Sequence, residues 1–139
     1  MASRVGAAGA VYATEISPDR RQAIATRLAT QEIHNVRIVE AEANATHLPD
    51  DCCDAVYLRT VFHHIGDKPA FARALATAVR AGGRLAIIDF APGALWFHGA
   101  DHGVSTATVT DACRQAGLRL VQHSTSWGGG TYLLLFERS

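Results

Sequence analysis

Gly82-Gly83-Arg84-Leu85-Ala86-Ile87-Ile88-Asp89-Phe90 is the stretch on which the reading of this chain turns. Its apolar residues follow one another instead of alternating with polar ones, the pattern of a strand buried on both faces of a parallel sheet. Immediately upstream, Asp67 is placed to cap a helix running through roughly Arg80, with Phe71, Ala74, Leu75, Ala78 and Val79 at helical spacing. Gly82-Gly83 then ends that helix, since glycine takes the left-handed conformation common after a helix C-terminus.

Working back from this unit, Ala55-Val56-Tyr57-Leu58-Arg59 reads as a strand prolonged into Val61-Phe62. Val36-Arg37-Ile38-Val39-Glu40-Ala41 alternates and is rich in β-branched residues, so it is another, followed by a polar loop from Glu42 to Asp51. The first strand is Val11 to Ile16, entered through Gly6-Ala7-Ala8-Gly9. Ser17 as N-cap with Pro18 at the first helical position starts a helix that reaches Ile33 and stops at His34-Asn35. Working forward, a loop from Ala91 to Gly103 carries Trp96, Phe97, His98 and His102, and Ser105 caps a short helix, Thr106 to Ala116, stopped by Gly117. The strands Leu118 to His123 and Tyr132 to Glu137 follow, joined by a glycine-rich turn, Ser126 to Gly130, that suits an antiparallel pair. The order β-α-β-β-α-β-α-β-β predicts one α/β domain over residues 1–139, a mostly parallel sheet with helices on both faces and an antiparallel C-terminal hairpin.

Composition agrees with a single globular domain: 139 residues, 48% hydrophobic and 19% charged. Thirteen Lys and Arg balance thirteen Asp and Glu. That leaves no global cationic footprint for nucleic acid or an anionic membrane. No apolar run approaches the roughly 18 residues of a membrane span, and the start lacks the basic segment and apolar core of a signal peptide; a cytoplasmic location is the resulting expectation. Cys52, Cys53 and Cys113 are odd in number and form no CxxC, so they supply neither a disulfide framework nor a zinc-ligand set. No metal is expected.

Four stretches in order resemble the class I S-adenosylmethionine-dependent methyltransferases of the small-molecule branch called type 11, which have a Rossmann-like fold. They are Val11 to Ser17; Val39-Glu40-Ala41-Glu42-Ala43 leading to Leu48-Pro49-Asp50; Asp54 to Arg59 through His63-His64; and Gly82 to Phe90. The resemblance covers nearly the whole chain and implies S-adenosylmethionine as cofactor and methyl transfer to a small-molecule acceptor. The chain departs from the family at one place. The family's first strand and its glycine-rich loop, roughly D/E-x-G-x-G-x-G, have no counterpart, since Gly6 to Gly9 precedes a strand instead of following one. The expectation is an N-terminally truncated domain whose missing strand is central in the family's sheet, with weak or undetectable cofactor binding. The alternative is a non-catalytic remnant that assembles through an exposed sheet edge, as a homodimer or with a partner chain that completes the sheet.

By the same resemblance Glu15 accepts hydrogen bonds from the ribose diol, the role of an acid at a strand tip in doubly wound folds, with Ile16 packing near the adenine. Glu42 and Ala43 hold the adenine edge, and Arg59 lines the cleft. Each has an ordinary reading too: Glu15 and Glu42 as solvated acids, Arg59 as half of an ion pair. Methyl transfer needs collinear nucleophile, methyl and sulfur more than it needs a catalytic side chain, so no catalytic residue is assigned. His63-His64 reads mainly as a packing and loop-fixing pair, with His64 or His98 available as a base because imidazole titrates near neutral pH. Asp89 reads as a strand-end acid that holds nearby backbone.

Overall fold

The structure, a computed structural model, describes residues 1–94, 103–125 and 130–139. The loop residues Trp96, Phe97, His98 and His102, and most of the expected turn from Ser126 to Gly130, lie outside the described residues. The chain forms two compact units, Met1–Leu48 and Pro49–Ser139. None of its described helices is long and apolar enough to cross a membrane.

The first unit holds α1 (Ala2–Val5), β1 (Val11–Glu15), α2 (Pro18–Thr30) and β2 (Val36–Glu40). Val11 pairs with Val36 and Glu15 with Glu40 in a parallel two-stranded sheet. Ser17 caps α2 as expected, its Oγ accepting from the Arg20 amide, and Pro18 sits in the first turn. The helix is three residues shorter than its sequence pattern, because the Ile33 and Glu32 amides turn back onto the carbonyls of Leu28 and Ala29. No apolar side chain of this unit is fully buried; Thr46 is its one buried residue.

The second unit holds β3 (Cys53–Arg59), a 3-10 turn (Phe62–His64), α3 (Lys68–Ala78), β4 (Val79–Phe90), α4 (Thr106–Gln115), β5 (Leu118–Ser124) and β6 (Thr131–Arg138). Its sheet has the order β3-β4-β6-β5, with β3 parallel to β4 and the hairpin β5-β6 antiparallel. Asp67 caps α3 through the Ala70 amide, and Ser105 caps α4 through the Thr108 amide. Period-two burial along β6 sends Tyr132, Leu134 and Phe136 into a core with Leu58, Leu85 and Ile87. Phe71, Leu75, Val109 and Cys113 of α3 and α4 close that core.

Gly82-Gly83 does not end the helix. The helix stops at Ala78, because Val79 already pairs with Cys53, and the glycines lie inside β4 where the register with β3 jumps between Cys53 and Ala55. Gly82 has φ +74°, and a Cβ on Gly83 would meet the Asp54 carbonyl at 3.0 Å and the Arg80 carbonyl at 2.8 Å. The pair therefore lets β4 press against β3 as it enters the sheet. Likewise Phe62 belongs to the 3-10 turn and does not prolong β3.

Candidate functional site

In the first unit the carboxyl ends of both parallel strands are fixed by one side chain. Arg21, in the second turn of α2, donates to the Glu15 carbonyl (3.1 Å), the Ile16 carbonyl (2.8 Å) and Glu40 Oε1 (2.9 Å). It thereby ties the tip of β1 to the tip of β2. At that tip Glu15 Oε1 accepts the Ser17 amide at 2.9 Å, while Oε2 stands 4.0 Å from Arg20. One carboxylate oxygen thus orders the entry to α2 and the other faces a cation. Ile16, next along, is 61% exposed, a large apolar side chain left in solvent beside a carboxylate. The turn after β2 is pinned by a Glu42–Ala45 bridge, with exposed Ala43 inside it and Glu42 Oε1 3.4 Å from His47 Nε2.

In the second unit the carboxyl ends of β3 and β4 meet at a buried acid. Asp89, with no exposed surface, accepts three hydrogen bonds: from the His63 ring Nδ1 (2.6 Å), the His63 amide (3.0 Å) and the Phe90 amide (2.8 Å). Burying a carboxylate is tolerable only with such partners. Their effect is to fasten the turn after β3 to the end of β4. His63 is in turn sandwiched, 3.9 Å from the His64 ring and 6.0 Å edge-on to Phe90. His64 is exposed. Between β3 and this turn Thr60 sits at φ +54°, a left-handed conformation costing a β-branched residue about 1–3 kcal/mol. Its amide still reaches the Ile88 carbonyl at 2.8 Å. Beneath, the Tyr132 hydroxyl donates to the Val104 carbonyl at 2.8 Å; burial first, then the nearby Asp89 charge, pushes that hydroxyl's pKa up.

Of the residues marked from sequence, Glu15, Ile16, Glu42 and Ala43 belong to the first unit, the first two at the tip of β1 and the others in the turn after β2. Arg59 belongs to the second, exposed at the last position of β3, and no carboxylate among the described residues lies within ion-pair distance of it. Asp89 does hold backbone, and its ring partner is His63, not the exposed His64. Sequence reasoning missed Arg21 and Thr60. The spacing of Arg21, one turn beyond a capped helix start, carries a signal for the first; nothing in the sequence marks a left-handed threonine.

Set against the nucleoside end of the cofactor, the first unit fits: Glu15 offers a carboxylate to a diol and Ile16 an exposed apolar surface to a base. The 139 residues contain no G-x-G-x-G run. Among the described residues no cluster of three or more His, Cys, Asp or Glu could hold a metal ion.

Comparison with known proteins gives concordant results. A family model described as a methyltransferase domain matches residues 1–87. The ubiquinone/menaquinone biosynthesis C-methyltransferase UbiE of a Marinomonas species is 30% identical over 87 residues, 62% of this chain. The matched stretch spans about a third (35%) of that relative's length. Among solved structures, a SAM dependent methyltransferase from Aquifex aeolicus superposes with a TM-score of 0.82 at 22% identity, over 99% of this chain and 73% of the other. Geranyl diphosphate C-methyltransferase from Streptomyces coelicolor, solved with its diphosphate substrate and S-adenosyl-L-homocysteine, gives 0.77 at 13% identity, over 93% and 64%. At these identities the two structures establish the fold, Rossmann-like α/β with an antiparallel C-terminal hairpin.

Proposed function

Because the chain belongs to the methyltransferase domain family, whose cofactor is S-adenosylmethionine, we propose that it serves methyl transfer from that cofactor to a small-molecule acceptor. The observation that carries this reading is the tip of β1, where a carboxylate with one oxygen committed to backbone stands beside an exposed isoleucine. Glu15 would accept the ribose hydroxyls and Ile16 would cover a face of the adenine. Glu42 and the Ala43 amide would meet the adenine edge, and Arg21 would hold the strand tips in place for all of them. When bound, the cofactor's sulfonium supplies an electrophilic methyl group. The chain's own contribution is then orientation and exclusion of water. In the second unit Arg59 would line a cofactor cleft at the end of β3, where Asp89 holds the turn carrying His63 and His64.

A second reading rests on β3. Among the described residues it is an edge strand of its sheet, pairing only with β4, and an edge with unpaired backbone groups accepts a strand from another chain. This would make the chain a non-catalytic, assembling relative of the methyltransferases.

Calorimetric titration with S-adenosylmethionine, alongside light scattering over a range of concentrations, separates the two. The first reading expects weak saturable binding that falls about 10-fold or more in Glu15→Gln, a substitution that keeps an acceptor for the Ser17 amide while removing the charge. Equal affinity in wild type and variant removes Glu15 from the site. Absence of binding together with a concentration-dependent mass favours the second reading.

A further inference from the structure

At the opposite end of β3 from Arg59, two thiols stand side by side. Cys52 Sγ and Cys53 Sγ are 2.7 Å apart, both are partly accessible, and Cys53 is the first residue of the strand. We propose that this vicinal dithiol is a chelating site for a trivalent arsenical or equally thiophilic centre that needs two sulfur ligands, a site independent of the methyl-transfer reading.

The argument begins with the chain's own geometry. Consecutive Cα atoms lie about 3.8 Å apart across a trans peptide, whereas disulfides favour a Cα separation of roughly 4.4–6.8 Å. Direct S–S closure between neighbours is therefore strained and easily reversed. A single bridging atom lengthens the ring and relieves that strain without moving the strand, which keeps Cys53 in register with Val79 of β4. Two sulfurs are too few for a tetrahedral zinc site, and no third His, Cys, Asp or Glu joins them in a metal-holding cluster among the described residues. They suffice for a trivalent centre already carrying one organic substituent.

Electrostatics favours the same ligand. Burial, then the hydrogen bond and charge of Cys52 and the charge of Asp54, pushes the Cys53 thiol from 9.0 to about 12. It is then almost wholly protonated near pH 7. Thiol–disulfide exchange requires a thiolate, so Cys53 is a slow resolving nucleophile. Condensation with an arsenoxide is an overall exchange between neutral species, so the raised thiol pKa does not stand against it at equilibrium. Two As–S bonds replace the arsenic–oxygen bond, both thiol protons leave with that oxygen as one water, and arsenic stays trivalent. The product is uncharged, so the surroundings that penalise a thiolate do not penalise it.

Intact-mass spectrometry of the reduced full chain with phenylarsine oxide tests the site, using excess glutathione as a monothiol competitor. The expected result is one phenylarsenic unit gained with loss of water, retained against on the order of 10²-fold more glutathione than Cys52→Ser or Cys53→Ser tolerates, the advantage of a second tethered ligand. Cys113→Ser should behave as wild type. Peptide mapping of the wild-type adduct locates the arsenic without any variant, so a variant that misfolds leaves the test intact. Loss of the adduct to glutathione as readily as from Cys53→Ser, or arsenic mapped away from Cys52-Cys53, overturns the proposal. So does a Cys52–Cys53 disulfide that forms with glutathione disulfide, survives excess glutathione and excludes the arsenical.

Discussion

The two units of this chain are built from the same parts and differ in what those parts bury. Each joins a pair of parallel strands through a helix with a side-chain cap, Ser17 on α2 and Asp67 on α3. In Pro49–Ser139 these parts enclose Leu85, Ile87, Leu134 and Phe136 with no exposed surface. In Met1–Leu48 no apolar side chain is fully covered, and a two-stranded pair is marginal when alone. The first unit has invested its order in the strand tips, where Arg21, Glu15 and the Ser17 amide hold one another. Packing thus dominates one unit and polar positioning the other. The unit carrying the proposed nucleoside contacts is the one with the least core.

The largest expected effect tests that contrast in its crudest form. Phe136→Ala removes a fully buried ring of β6 and should cost about 3–5 kcal/mol of global stability. Leu28→Ala on the half-buried face of α2 should cost about 1 kcal/mol or less, since little apolar area is withdrawn from water there. Urea unfolding followed by circular dichroism reads both. Similar losses from the two substitutions would break the comparison.

The same contrast governs what the sequence disclosed. Elements of the second unit were legible because a continuous apolar run and a helical stripe each leave a period in the chain, and caps such as Asp67 and Ser105 have a residue signature. Gly82-Gly83 misled because a glycine pair suits a helix stop and a tight strand entry equally well, and the pairing of Val79 with Cys53, which decides between them, is not local. The clamp between His63 and Asp89 spans 26 residues and was invisible as a pair. In the candidate site the place of Glu15 at a strand end was legible because the strand pattern from Val11 stops there. Arg21 was hidden because its importance lies in three acceptors that only the folded tip brings together.

Alkaline pH offers a second probe, because the core-bearing unit holds three groups whose ionisation burial opposes. Burial pushes the Cys113 thiol from 9.0 to about 12, and Cys53 and Tyr132 are raised too. In each case the folded value exceeds the unfolded one. The corresponding stability is fully present below the unfolded pKa, near 9 for a thiol, and is lost as pH climbs through the folded value near 12. Unfolding free energy measured from pH 7 to 11 should be flat at first and then fall above pH 9, with Cys113 contributing up to about 1.4 kcal/mol per pH unit to the descent. Cys113→Ala should flatten part of that descent. An unchanged slope in the variant would show that the thiol ionises as easily folded as unfolded.

The smallest effect is also the sharpest, because it applies one chemistry to both units. Ser105 Oγ accepts the Thr108 amide at 3.0 Å, and Ser17 Oγ accepts the Arg20 amide at 3.4 Å. Replacing an N-cap serine by alanine costs about 0.5–2 kcal/mol, and the longer bond at Ser17 puts its loss toward the lower end. The consequences should diverge by more than that difference. Helix α4 buries Val109, Ala112 and Cys113 in the core, so weakening its start weakens the cooperative unit, and Ser105→Ala should lower the global unfolding midpoint. Helix α2 buries no residue fully, so Ser17→Ala should leave that midpoint almost unmoved and speed hydrogen exchange of the amides from Asp19 to Ala25 through local opening. Global destabilisation by Ser17→Ala equal to that by Ser105→Ala would mean that the polar tip is as firmly coupled to unfolding as the apolar core, and burial would no longer account for the difference between the units.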